Sequence, residues 1–375
     1  MRRKFLGALP VALAAFALVA SIGSPAGAAT ARRAVPIRGV GSDTTYGMMQ
    51  KLDDLYNGSP GCNVLGTPQV FNGRCYADLP TTTHKENYFH DVASEAYPLG
   101  SSNGVTQLCS QGQSGVLPAD YARSSRGPRD TDCAGLRFVG YSRDGISWWT
   151  SASNTDAPAN LTQAQLKLIF TGNGNTSNCA TNWSDVGGTS GPITVYTPQL
   201  GSGTRSTFDG FVGGDSSACI PAAFKDGGGD DHVIFENNAG PIIANGDASS
   251  AIFPYSFGRF VQSGGEGGTL GKVDGVAVNN TTIANGSFPY GRFLYNVYRA
   301  TTSTLKASAA TKSYLGEVNG WLCKPKGSHS INPVTGHNYR IDIENTIKAE
   351  GFVPLPVGAI GGGVAGTSHC RVTTL

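Results

Sequence analysis

Gly201-Ser202-Gly203-Thr204-Arg205-Ser206-Thr207-Phe208 follows an apolar, β-branched run, Ile193-Thr194-Val195-Tyr196, and leads into a stretch with helical character. Two glycines let the backbone turn sharply and approach a ligand closely. Ser202 and Thr204 add hydroxyl donors, and the N–H groups that open a helix point at the same spot. Together these groups favour an anion. The turn alone also suits a plain strand-to-helix connection, so its meaning depends on what the rest of the chain brings to it.

Two other polar loops of this kind stand at the ends of short strand-like runs: Gly41-Ser42-Asp43-Thr44 and Gly100-Ser101-Ser102-Asn103-Gly104. Around them the chain alternates between the two periodicities. Val35 to Gly41 reads as a short strand. Thr44 to Tyr56 reads as a helix with Met48, Met49, Leu52 and Leu55 at helical spacing, and Ser42 or Asp43 can cap it. A short helix is expected from Val105 to Ser110, strands over Leu136 to Trp149, and a helix from Thr162 to Phe170. Further strands are expected over Ser249 to Phe257 and Pro289 to Arg299, with helices over Thr304 to Trp321 and Ile341 to Gly351. Strands alternating with helices imply an α/β fold. In such folds ligands bind beyond the carboxyl ends of strands. Hydroxyls and amides from three loops can surround one oxyanion without a metal.

The chain opens on Met1-Arg2-Arg3-Lys4, an apolar run from Phe5 to about Ile22, and Ala26-Gly27-Ala28. This is the pattern of a secretory leader over residues 1–28. It carries no cysteine for a lipid anchor, which points to a secreted or wall-associated product. The eight cysteines are Cys62, Cys75, Cys109, Cys133, Cys179, Cys219, Cys323 and Cys370. An even count in an exported chain implies disulfides. Pairing of sequence neighbours closes the shortest loops and is the expected pattern. No Cys-x-x-Cys pair is present, which argues against zinc. Without the three basic residues of the leader the chain carries 25 basic and 26 acidic residues, and no basic stripe suggests a nucleic-acid partner. The ~345 residues that remain are enough for two lobes, each with its own core.

In this order the loops resemble those of the periplasmic-binding-protein superfamily (type 2), and specifically phosphate-binding proteins of the PstS type. Gly39-Val40-Gly41-Ser42-Asp43-Thr44, Gly100-Ser101-Ser102-Asn103-Gly104-Val105, Asp120-Tyr121-Ala122-Arg123-Ser124-Ser125 and Gly201-Ser202-Gly203-Thr204 match the four ligand loops in turn. Leu161 through Asn182-Trp183, and Phe288-Pro289-Tyr290 through Tyr295, resemble later family segments. The resemblance spans roughly Val35 to Trp321. It implies a two-lobed fold with a hinge and a ligand cleft. Lobe 1 is expected over 29–145, with a disulfide-bearing insertion at 58–90. Lobe 2 is expected over 146–285, and 286–375 returns to lobe 1 and forms the tail.

The implied ligand is inorganic phosphate or a similar oxyanion, bound by a monomer that serves an ABC-type membrane transporter, with no cofactor. The ligand residues carried over are Asp43, Thr44, Ser101, Ser125, Ser202, Gly203 and Thr204. Two positions depart from the family. Ser125 stands where a third-loop Asp accepts the ligand proton, and Pro198 and Leu200 stand where an Arg and an Asp precede the fourth loop. Arg205 can restore the missing charge, with Arg123 as a second candidate.

Two other functions fit parts of the sequence. A fold relative can bind a different small ligand or act in adhesion or scavenging. Gly100 to Gly104 also satisfies the Gly-x-Ser-x-Gly pattern of a hydrolase elbow, with Ser102 as nucleophile and His232 or His329 as base. An elbow needs a strong apolar strand before it, and Pro98 weakens one there. The 226–231 acidic glycine loop lacks the alternation of a calcium site. The expectation is therefore a binding protein and not an enzyme.

Overall fold

The computed structural model describes residues 37–60, 70–71, 74–75, 99–110, 119–225, 231–300, 309–316, 320–356 and 368–374. The leader, Cys62, most of the 58–90 insertion, residues 226–230 and the glycine-rich stretch near the C-terminus lie outside the described residues.

The architecture is mixed α/β, as expected. Nine strands concern the site: β1 (Gly39–Gly41), β2 (Tyr121–Ser124), β3 (Leu136–Ser151), β4 (Thr194–Val195), β5 (Thr197–Pro198), β6 (Val233–Ile234), β7 (Ala251–Ser256), β8 (Gly268–Leu270) and β9 (Gly291–Arg299). The principal helices near it are α1 (Tyr46–Asn57), α2 (Ser101–Cys109), α3 (Gln163–Thr171) and α4 (Gly203–Val212).

One strand organises the sheet. β3 runs for 16 residues and is buried along nearly its whole length. Its first half pairs antiparallel with β9, from Leu136↔Arg299 to Gly145↔Gly291. Its second half pairs antiparallel with β7, from Ile146↔Ser256 to Trp149↔Phe253, and with β8. The strand order is β1-β2-β9-β3-β7-β4, with β1 parallel to β2 and β4 parallel to β7. Two apolar clusters draw their members from 37–141 and 293–372. Two others draw theirs from 146–290. β3 contributes Phe138, Val139 and Tyr141 to the first group and Ile146, Trp148 and Trp149 to the second.

The helices form where apolar residues recur at helical spacing. α1 buries Met48, Met49, Leu52 and Tyr56. Its N-cap is Thr45, with no side-chain cap bond, and not Ser42 or Asp43 as expected. Those two residues belong to the loop that leaves β1, ahead of the first turn. α3 starts at a capping box of Thr162 and Gln165 and stops at Gly172, whose φ of +57° ends the turn. α2 begins at Ser101, four residues before the expected Val105. The second loop is therefore itself a helix N-terminus.

Three disulfides close between sequence neighbours: Cys109–Cys133, Cys179–Cys219 and Cys323–Cys370. The expected Cys62–Cys75 pair involves Cys62, which lies outside the described residues.

Candidate functional site

The loop ends of β1, β2 and β5 and the N-termini of α2 and α4 meet. α4 is capped by Ser202, whose Oγ accepts the Arg205 N–H at 3.0 Å. Gly201 O accepts the Ser102 N–H at 3.0 Å, which docks this turn on the start of α2. Gly100 has a φ of +92°, and a Cβ there would lie 2.6 Å from Gly201 O, so only glycine fits this approach. A Cβ on Gly203 would collide with the hydroxyls of Ser101 and Ser125. Ser101 Oγ accepts the Ser125 N–H at 2.9 Å and lies 3.2 Å from Ser125 Oγ. Thr44 Oγ1 lies 3.3 Å from Thr204 Oγ1. Thr44, Ser101, Ser125, Ser202 and Thr204 are each at most 1% exposed. Five expected residues and Gly203 thus form one buried cluster.

Four further side chains complete the cluster, and the sequence reading did not name them. Arg292, at the start of β9, donates from Nη1 to Thr204 Oγ1 at 3.2 Å and to Ser125 O at 3.1 Å. Its Nε and Nη2 donate to Asp144 Oδ2 at 3.0 and 2.7 Å. Asp144 also accepts from Ser256 Oγ and from the Gly258 N–H. Glu236 is the third. β5 and β6 pair in parallel, Thr197↔Val233 and Pro198↔Ile234, so the chain leaves β6 directly beside the fourth loop. The Glu236 carboxylate accepts from Ser202 Oγ, from the Thr204 N–H at 3.2 Å and from Thr44 Oγ1 at 3.4 Å. Asn237 fixes this position. It adopts a φ of +57°, which asparagine tolerates, and its Nδ2 donates to Thr44 Oγ1 at 3.2 Å. The bonds form a directed chain from Arg292 through Thr204 and Thr44 to Glu236. The signals for these residues were thin: one Arg opening an expected strand, and one Glu following a short apolar run.

Asp43 adjoins the cluster. Burial pushes its carboxyl up to about 8, and the nearby Glu236 charge pushes the same way, partly offset by Arg123 and Arg259. At neutral pH the group keeps its proton and can donate a hydrogen bond.

Arg205 is not part of the cluster, contrary to expectation. Its Nη1 donates to Pro198 O at 3.1 Å, and its Nη2 donates to Asp215 Oδ1 at 2.8 Å and Ser217 Oγ at 2.9 Å. On the first turn of α4 the backbone faces the cluster while this side chain leaves along the helix flank. Arg123 lies at the first loop, with Nε 3.4 Å from Ser42 O and the guanidinium over the Tyr46 ring. Arg292 supplies the positive charge at Thr204 that the sequence reading assigned to Arg205.

The hydrolase set is not assembled. Ser102 Oγ accepts from Arg126 Nε at 2.9 Å, and Arg126 is paired with Asp132. His232 stacks between Tyr196 and Phe224, and His329 packs edge-on against Trp321. Among the described residues no group of three or more His, Cys, Asp or Glu side chains is placed to hold a metal ion.

A buried ring of hydroxyls and helix N-termini at strand ends is what the α/β topology provides for a small polar ligand. Comparison with known proteins agrees with this architecture. Among the solved structures that share the fold are two proteins of phosphate transport. One is a Clostridium perfringens protein, solved with bound phosphate and assigned to phosphate ABC transport; it is 18% identical, with a TM-score of 0.55 over 86% of this chain and all of that one. The other is an ABC-type phosphate transport receptor from Vibrio cholerae, 17% identical, with a TM-score of 0.51 over 85% of this chain and all of that one. No curated protein matches the sequence significantly. Among the described residues no helix is long and apolar enough to cross a membrane. Residues 24–318 match the PBP superfamily domain. With its two apolar core groups joined by β3 and β9 and its loops converging at strand ends, this chain belongs to the PBP superfamily.

Proposed function

We propose that the chain is an exported solute-binding protein that holds a small oxyanion, phosphate first, between two lobes. One observation carries this reading: the donors of the first and fourth loops already grip an oxyanion, the carboxylate of Glu236. A ring of neutral donors suits such a ligand, because it satisfies the oxygens without a buried countercharge of its own. Arg292 adds one cation beside Thr204. The protonated Asp43, next to Thr44 in the chain, can add a further donor.

The apolar clusters support a division into two lobes, one built from the start and end of the chain and one from the middle. The chain crosses between them within β3 and at the start of β9, and the hinge proposed for closure on the ligand lies at these crossings, residues 142–146 and 291–292. The leader supports export. A soluble receptor of this kind delivers its ligand to an ABC-type transporter, and the phosphate-transport relatives with the same fold support that partner.

Calorimetric titration of the mature protein with phosphate, arsenate, sulfate and a neutral sugar tests the reading. Phosphate and arsenate are expected to bind and the sugar is not. Binding of the sugar alone, or of none of the four, would exclude it.

A further inference from the structure

We propose that Glu236 is a built-in competitor for the oxyanion, so that ligand enters by displacing its carboxylate from the loop donors. The inference rests on the oxyanion reading of this site and adds to it a residue that sets affinity.

Three contacts carry it. Ser202 Oγ, the Thr204 N–H and Thr44 Oγ1 all donate to Glu236, so one side chain engages donors from both the first and the fourth loop. Glu236 is 2% exposed, and its own N–H donates to Gln199 Oε1 at 2.7 Å, which anchors its backbone to the strand leading into the fourth loop. Asn237 Nδ2 also donates to Thr44 Oγ1. An oxyanion placed on the same donors would lie within hydrogen-bond distance of the carboxylate. Two like charges that close repel strongly in a buried site. The donors therefore serve either Glu236 or the ligand.

The exchange is anion for anion. When Glu236 rotates away, the ligand inherits its three hydrogen bonds, and Arg292 remains on Thr204 throughout, because its other nitrogens are fixed on Asp144. The displaced carboxylate must regain water or another donor, and that cost is subtracted from the affinity.

The opposite role for Glu236 is as an acceptor for a proton on the ligand. The two roles predict opposite signs on substitution. Glu236→Ala opens the donor set, and Glu236→Gln keeps the volume while removing the charge. Both variants and the parent are titrated with inorganic phosphate and sulfate, and their melting temperatures are followed with sodium formate. Under the proposal, Glu236→Ala binds phosphate and sulfate at least about tenfold more tightly than the parent. Glu236→Gln falls between them. Formate, a free carboxylate, raises the melting temperature of Glu236→Ala and leaves the parent unchanged. If the parent binds phosphate and the variants bind it equally or more weakly, Glu236 is no competitor, and the oxyanion reading survives. If neither parent nor variants bind either anion, both fail together. A Glu236→Ala chain too unstable to titrate leaves Glu236→Gln to decide by the same sign.

Discussion

Arg292 Nη2 lies 2.7 Å from Asp144 Oδ2, with both side chains buried. The two residues sit opposite each other in the β3–β9 register, at the point where these strands pass between the two apolar core groups. The pair neutralises a charge that would otherwise be stranded in the interior, and it aims the remaining guanidinium nitrogen at Thr204. One ion pair thus joins the crossing strands to the candidate site.

Removing one partner of a buried pair leaves the other unpaired and costs about 3–5 kcal/mol. Arg292→Ala is expected near the lower end, because Asp144 keeps its bonds from Ser256 and Gly258. Arg292→Lys keeps the charge but cannot reach Asp144 and Thr204 together. Both should weaken phosphate binding, which calorimetry reads, and urea unfolding gives the stability. A variant with unchanged affinity would remove Arg292 from the site.

Arg205→Ala should behave differently. Its partners are Pro198 O, Asp215 and Ser217, and the Asp215 side chain is half exposed, so the ion pair itself is screened. A stability loss of about 1–3 kcal/mol is expected from the lost hydrogen bonds. Phosphate affinity should stay within about threefold of the parent, less than 1 kcal/mol. A hundredfold loss would place this side chain on the ligand.

Asp43 predicts a pH dependence. Its folded-state carboxyl is raised from 3.8 to about 8 by burial and by Glu236. The folded chain therefore holds a proton that the unfolded chain has released. The contribution of this group is fully present below about pH 4 and is lost as pH rises toward 8, at about 1.4 kcal/mol per pH unit. Asp43→Asn cannot titrate, so its stability should fall less than that of the parent between pH 5 and pH 8. Chemical denaturation at several pH values measures the two slopes, and equal slopes would contradict the raised carboxyl.

The Cys323–Cys370 bond spans 47 residues of sequence and ties Trp321-Leu322-Cys323 to the strand that pairs with β3 through Arg371↔Gly140. Loop-closure entropy for that length is ~4 kcal/mol. The double replacement Cys323→Ala and Cys370→Ala should lower stability by that order. Amide exchange at residues 371–374 should rise in the same variant. Unchanged exchange there would mean that the strand holds without its covalent tether.

The sequence by itself determined the class of fold and the loops that matter. Alternating strand and helix signals gave α/β, and Gly-Ser-rich turns at strand ends marked Thr44, Ser101, Ser202 and Thr204, because close backbone approach and helix N-termini need those residue types locally; Ser125 came only from the family resemblance. Neighbouring cysteines closed as expected at three positions, since short loops bring their ends together at least cost. Only the tertiary structure decided which charges meet these hydroxyls. Arg205 is adjacent in sequence but leaves along the helix flank to Asp215, whereas Arg292 and Asp144 are 148 residues apart and meet because β9 and β3 pair in one register. Glu236 arrives only through the parallel pairing of β5 with β6. Backbone donors are written in local turns, but a long charged side chain goes where distant strands and competing partners direct it, and no local spacing records that.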